Sequence, residues 1–134
     1  MDLSAVQAFF RDCDLILSLG GDGTFLNAVH AAYPNDIPVA GVNLGSLGFL
    51  AEILPDQLED GLKRLVSGDC SSAFRTVLDM CVLDAENRVL HRDFALNEAV
   101  LSRGHSPRIL PIELWIDGGF TELVPSDGLM VSTH

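Results

Sequence analysis

Apolar and polar positions along this chain fall into two textures that change near residue 73. In the first, short continuous apolar runs alternate with stretches of helical spacing. Residues 14–19 read DLILSL, a run of strand length, and GGDGT at residues 20–24 interrupts it. Phe25, Ala28, Val29 and Ala32 then recur at the interval that places them on one helical face. The pattern predicts strand, glycine turn, helix. Residues 37–42 (IPVAGV) predict a second buried strand, followed by the glycine-punctuated NLGSLGF. After Pro55, Asp56 and Glu59 are spaced as a capping pair, and Leu58, Leu62, Leu65 and Val66 form an apolar stripe that closes at Gly68. A second helix is predicted there. Buried strands that are each followed by a helix pair in parallel, because crossover helices cover both faces of such a sheet. Sheets of this kind usually hold about four to six strands, so further strands are expected outside this sequence.

In the second texture the period is two. Residues 77–83 and 88–96 flank Asp84-Ala-Glu-Asn87, and Ile112, Leu114 and Ile116 alternate with Glu113, Trp115 and Asp117 before a turn at Gly118-Gly119. These are hairpins of an antiparallel sheet. Residues 128–133 again have strand character and run to the chain end without a terminating signal, which predicts ladder groups left unpaired. The expected fold class is α/β: a partial Rossmann-like nucleotide-binding domain over residues 1–73, then the first part of an antiparallel β-rich domain over residues 74–134.

Composition narrows the chemistry. The 134 residues are 48% hydrophobic and 20% charged, as in a core-forming globular chain. No apolar run approaches the ~20 residues of a membrane helix, and the first residues carry no secretion signal. Cys13, Cys70 and Cys81 are odd in number and widely spaced, as expected of free thiols in a reducing cytoplasm. His30, His91, His105 and His134 show no ligand spacing, so no protein-only metal site is expected. With a net charge of −11 and one lysine, Lys63, the chain lacks the basic stripe that nucleic acid demands. A polyphosphate partner would have to be held by backbone N–H groups and divalent cations.

Gly20-Gly21-Asp22-Gly23-Thr24 fits that requirement. Glycines let backbone approach a ligand closely, and the start of a helix offers unpaired N–H groups to phosphate. The loop has neither the lysine of a P-loop nor the GxGxxG spacing of a dinucleotide fingerprint. Asp22 repels phosphate, so it accepts a hydroxyl proton or helps hold a cation, or else it caps the following helix; the residues leave these uses open.

GGDGT after an apolar strand resembles the motif of a superfamily of small-molecule kinases: NAD kinases, diacylglycerol and sphingosine kinases and, more loosely, phosphofructokinases. Three further segments are similar to NAD kinases in particular: GVNLGSLGFL at residues 41–50, ALNEAVL at 95–101 and SDGLMVST at 126–133. A lipid kinase of the same superfamily is the alternative enzyme, but it leaves Asn97-Glu98 and the LGF segment without a purpose. A non-catalytic nucleotide-binding fragment is the alternative of another class.

The resemblance implies phosphoryl transfer from ATP or polyphosphate to the adenosine ribose 2′-hydroxyl of NAD, giving NADP. Asp22 would meet that hydroxyl as base, with Gly21, Gly23 and Thr24 around the phosphates and Mg²⁺ or another divalent cation accompanying ATP. Phe49 would pack on the adenine side, although composition alone makes it a core aromatic. Asn97 and Glu98 would contact NAD; without the resemblance Glu98 is a solvated strand residue. Asp127 would lie near the dinucleotide, or serve as an ordinary turn residue before glycine. The resemblance also implies a homo-oligomer at full length.

Two departures stand out. The family continues from VST into PTGSTAY where this chain reads Ser132-Thr133-His134, with His134 in the place of a proline, and it has a strand and helix ahead of the segment that begins here. Truncation at both ends and loss of activity in the chain as given are therefore expected.

Overall fold

The computed structural model describes residues 10–45 and 48–133. The first nine residues, Ser46 and Leu47 of the 41–50 motif, and His134 lie outside the described residues. Two compact units divide the chain, Met1–Phe74 and Arg75–His134.

In the first unit, strand β1 (Ile16–Gly20) leads directly into helix α1 (Asp22–Ala32), and β2 (Val39–Asn43) follows. β1 and β2 pair in parallel, with Ile16 opposite Val39 and Gly20 opposite Asn43. Both strands therefore end on the same side, and the GGDGT loop and the segment after Asn43 leave the sheet side by side. α1 packs on both strands through the face that carries Phe25, Ala28, Val29 and the buried Ala32. Gly41 permits a close approach here, since a Cβ there would lie 2.8 Å from the Phe25 ring and 2.9 Å from the Ala51 backbone. On its other side β2 meets the incoming chain: the Asn43 N–H donates to the Ile53 carbonyl at 2.8 Å, and the Ile53 N–H donates to that of Gly41 at 3.0 Å. Val42 sits inside this ladder as the largest fully buried side chain among the described residues, with Ile16, Ala51 and Ala32 around it in the small core.

Helix α2 (Leu58–Ser67) is entered through a 3₁₀ turn at Pro55–Gln57 and stops at Gly68, whose φ of 73° lets its N–H reach back to the Arg64 and Leu65 carbonyls. The capping pair expected at Asp56 and Glu59 does not form: Gln57 is the N-cap and no side chain caps the helix. The 3₁₀ turn moves the helix start past Asp56, and Glu59 instead meets Lys63 at 2.8 Å one turn on.

The second unit is built of antiparallel ribbons. β3 (Leu78–Leu83) and β4 (Val89–Ala95) form a hairpin whose turn is organised by Asp84, which accepts the N–H groups of Glu86 and Arg88. The amide and guanidinium of Arg88 hold the Asp84 carboxyl below its ordinary value, as the Arg92 guanidinium does for Asp79 across the same hairpin. β6 (Leu110–Ile116) and β7 (Gly119–Ser126) form another hairpin, with Trp115 and Phe120 edge to face at 5.4 Å between ring centroids. Its tight turn is Asp117-Gly118, one residue earlier than the expected Gly118-Gly119, because both central residues take positive φ, 50° and 77°.

The remaining pair is no hairpin. β5 (Glu98–Ser102) and β8 (Gly128–Ser132) pair from Glu98 opposite Ser132 to Ser102 opposite Gly128, with the whole of β6 and β7 between them in sequence. Residues 128–133 thus do not leave their β5 side unpaired as expected, and beyond the last row the Thr133 N–H donates to the Asn97 carbonyl at 2.9 Å. Gly128 lets the ribbon close at its other end, where a Cβ would run into the Leu101 carbonyl.

Because Val42 is 0% exposed, Val42→Ala should lower unfolding stability by about 1–3 kcal/mol, a cost of transfer plus cavity. Val66, 90% exposed on α2, should tolerate alanine within about 0.5 kcal/mol. Equilibrium urea denaturation of the two variants checks the contrast; equal effects would mean that the core lies elsewhere.

Candidate functional site at the strand ends

The site grows from the place where β1 ends. Gly20 lets the chain turn against its own helix, since a Cβ there would strike the Thr24 side chain. Gly21 is the N-cap of α1 and makes no side-chain capping bond, and its carbonyl accepts the N–H groups of Thr24 and Phe25 at 3.0 and 3.1 Å. Among the described residues, the amides of Asp22 and Gly23 have no backbone acceptor. Among the described residues, apart from chain neighbours and the helix's own backbone, nothing lies within 4 Å of a Cβ placed on Gly21 or Gly23. The loop thus presents open backbone and a helix N-terminus, the arrangement that receives anions.

Asp22 does not cap the helix. Its carboxylate reaches 27 residues along the chain instead, where Oδ2 accepts the Phe49 N–H at 3.0 Å and Oδ1 accepts the Leu50 N–H at 3.1 Å. The Phe49 amide, then that of Leu50, with a smaller contribution from Ala51, holds the carboxyl below its ordinary value. Gly48 makes room for the carboxylate: a Cβ there would lie 2.7 Å from Asp22 Cγ and closer still to Oδ1.

Phe49 is 93% exposed. The core-aromatic reading fails: the ring stands in the open, and it is the Phe49 amide that meets Asp22. Sequence reasoning missed the residue at the root of this segment, Asn43. It is buried, and its Oδ1 accepts the Gly45 N–H at 3.0 Å, turning the chain as it leaves β2. An asparagine two residues before a glycine is a readable turn signal. Gly48 was missed too, and nothing local to it announces that a carboxylate 26 residues earlier needs its space.

In the second unit, Asn97 and Glu98 stand at the start of β5. The Asn97 carbonyl receives the Thr133 amide, and the Thr133 hydroxyl donates to the Leu96 carbonyl at 2.9 Å. Glu98 is exposed, with its backbone in the first row of the β5–β8 ladder. Asp127 lies past the opposite end of that ribbon, where its carboxylate pairs with Arg103 at 2.9 Å and its carbonyl accepts the Arg103 N–H. Four rows of about 3.4 Å separate the two ends. The ribbon therefore does not bring Asp127 to Asn97 and Glu98; it occupies Asp127 as a turn residue paired with Arg103.

Among the described residues there is no group of three or more His, Cys, Asp and Glu side chains that could hold a metal ion, and no helix is long and apolar enough to cross a membrane.

A model of the ATP-NAD kinase N-terminal domain family matches residues 3–70, half of the chain. The chain belongs to the NAD kinase family. An NAD kinase of Ruminiclostridium cellulolyticum is 37% identical over 123 residues, which cover 92% of this chain and 43% of that protein. One from Azotobacter vinelandii is 41% identical over 133 residues, 99% of this chain and 45% of its own length. The crystal structure of yeast NADH kinase complexed with NADH superposes with a TM-score of 0.82 at 27% identity, covering 94% of this chain and 38% of that one. The fold is accordingly the α/β nucleotide-binding fold of NAD kinases with a β-rich part after it, and the chain spans less than half the length of these relatives.

Within the NAD kinase fold, the first unit gathers Gly21, Asp22, Gly23, Thr24 and Phe49 at the ends of β1 and β2, outside the carboxyl ends of parallel strands where open α/β sheets bind ligands. Phe49→Ala should change unfolding stability by no more than about 0.5 kcal/mol, as for a surface substitution, against the ~3–5 kcal/mol lost with a core aromatic. Chemical denaturation decides it; a loss in the core range would return Phe49 to a packing role.

Proposed function

We propose that this chain is the catalytic portion of an NAD kinase that transfers a terminal phosphoryl group to the adenosine ribose 2′-hydroxyl of NAD. The observation that carries the proposal is the juxtaposition of Asp22, an exposed Phe49 and the open amides of the GGDGT loop. Phe49 offers a flat apolar face to adenine. Asp22, next to it, meets the ribose hydroxyl. The loop amides and the dipole of α1 face the phosphates. Asn97 and Glu98 anchor the dinucleotide, the amide both donating and accepting and the carboxylate accepting from ribose hydroxyls. Asp127, which the Arg103 pair holds at the other end of the ribbon, has the weakest support as a dinucleotide contact.

In the reaction, the 2′-hydroxyl oxygen forms a bond to the terminal phosphorus while the bond from that phosphorus to the bridging oxygen breaks, releasing the nucleoside diphosphate. The hydroxyl proton passes to the Asp22 carboxylate. A carboxylate already accepting two amides is a weak base, which suits a loose transition state in which positioning and charge stabilisation do most of the work. The donor is ATP as its complex with Mg²⁺ or another divalent cation, and polyphosphate shares the same chemistry. Free cysteines at positions 13, 70 and 81 support a cytoplasmic setting. Exposed apolar side chains on the β ribbons, among them Val100, Leu101, Met130 and Val131, support a homo-oligomer at full length. The chain spans 43% of the first relative's length, and the activity proposed is that of the whole protein.

NAD should raise the melting temperature of the protein while diacylglycerol should not, since a ligand that binds the folded state stabilises it by mass action. The opposite ranking would favour a lipid kinase. In a chain completed to family length, Asp22→Asn should lower turnover at least ~100-fold and change NAD affinity by a much smaller factor, as for loss of a general base. Near-normal turnover would assign the proton elsewhere. In the same background Glu98→Gln should weaken NAD binding about tenfold or more, as for loss of a charged hydrogen bond, and calorimetric titration measures it.

A further inference from the structure

We infer that Gly48 is a positioning residue and Asp22 a clasp: the space left by the missing Gly48 side chain admits the Asp22 carboxylate, which fastens residues 48–51 to the start of α1 through the amides of Phe49 and Leu50. The inference stands on this geometry and gives Asp22 a task separate from any proton it accepts.

Three observations converge. The two carboxylate oxygens are divided between two consecutive amides, Oδ2 to Phe49 at 3.0 Å and Oδ1 to Leu50 at 3.1 Å, so the group is oriented in two directions at once. The contact spans 27 and 28 residues, and no helix or strand ladder contains it. A Cβ at Gly48 would overlap the carboxylate, so any side chain there must push Asp22 or the 48–51 backbone away. Amide donors favour the charged carboxylate, which is the form that accepts from both.

The clasp has a consequence for ligand binding. An ionised carboxylate has about four acceptor positions, and the two amides fill two of them. A hydroxyl donor can take another without releasing the segment, so Phe49 stays beside whatever Asp22 binds. The carboxylate is held in advance of the ligand, and the backbone that carries the Phe49 ring is held with it. Such preorganisation lowers the ordering that binding would otherwise require.

The test is a double-mutant cycle read by amide hydrogen exchange in the purified protein, with neither NAD nor a phosphoryl donor present. Asp22→Ala and Gly48→Ala should each speed exchange of the Phe49 and Leu50 amides by at least ~10-fold, as for amides that lose their acceptor and open locally. The Val42 amide and the β6–β7 ladder should keep their protection. The double variant should be no faster than either single one, because both break the same contact. Asp22→Asn, which keeps one carbonyl acceptor, should release only one of the two amides, and this arm stands even if Asp22→Ala fails to fold. Unchanged exchange at Phe49 and Leu50 in Gly48→Ala, or additive effects in the double variant, would overturn the clasp. Since no arm measures catalysis, a missing clasp and a mistaken kinase assignment give separate results.

Discussion

The first unit depends on one carboxylate shared between two amides. The sheet itself brings the GGDGT loop and the segment after Asn43 to the same side, because β1 and β2 are parallel and in register from Ile16–Val39 to Gly20–Asn43. Parallel pairing alone leaves the two loops next to one another without fixing residues 48–50 to the start of α1. The Asp22 bonds to Phe49 and Leu50 supply that relation, and with it a candidate hydroxyl acceptor, an aromatic face and a row of open amides occupy one small region. Glycine is required at three points for the same reason, that backbone must come close: Gly20 to Thr24, Gly41 to Phe25 and Ala51, Gly48 to Asp22.

A charge placed this way resolves a puzzle of the sequence, a carboxylate inside a loop built for anions. Its negative charge is spread onto the amides of Phe49 and Leu50, so less of it opposes a phosphate at the helix start. Those amides also lower the basicity of Asp22. The proposed phosphoryl transfer tolerates this, because such reactions draw more on alignment and charge stabilisation than on proton abstraction.

What the sequence revealed and what it hid follow a physical division. β1, α1 and the β3–β4 and β6–β7 hairpins were legible because their signals are local: an apolar run, a glycine break, a period of 3.6 or 2; the tight turn of the second hairpin was placed one residue late, at Gly118-Gly119. Motif resemblance pointed to Asp22, Phe49, Asn97 and Glu98 as residues of interest, and it could not say what holds them. The β5–β8 pairing joins strands separated by a whole hairpin, and the Asp22–Phe49 contact joins residues 27 apart; no periodicity encodes either. Asp56 misled for the opposite reason. Its spacing to Glu59 satisfied a local rule, while the preceding proline drew the chain into a 3₁₀ turn and shifted the helix start beyond it.

What the Asp22 carboxylate meets when NAD is bound is the deciding observation. A crystal structure of the chain completed to family length, with NAD, is the most direct measurement. The expected result has the adenosine 2′-hydroxyl oxygen about 2.6–3.2 Å from an Asp22 oxygen, within hydrogen-bond reach for proton transfer, with the Phe49 and Leu50 amides still donating to the same carboxylate. A 2′-hydroxyl bound away from Asp22, with that carboxylate engaged by the two amides alone, would contradict it.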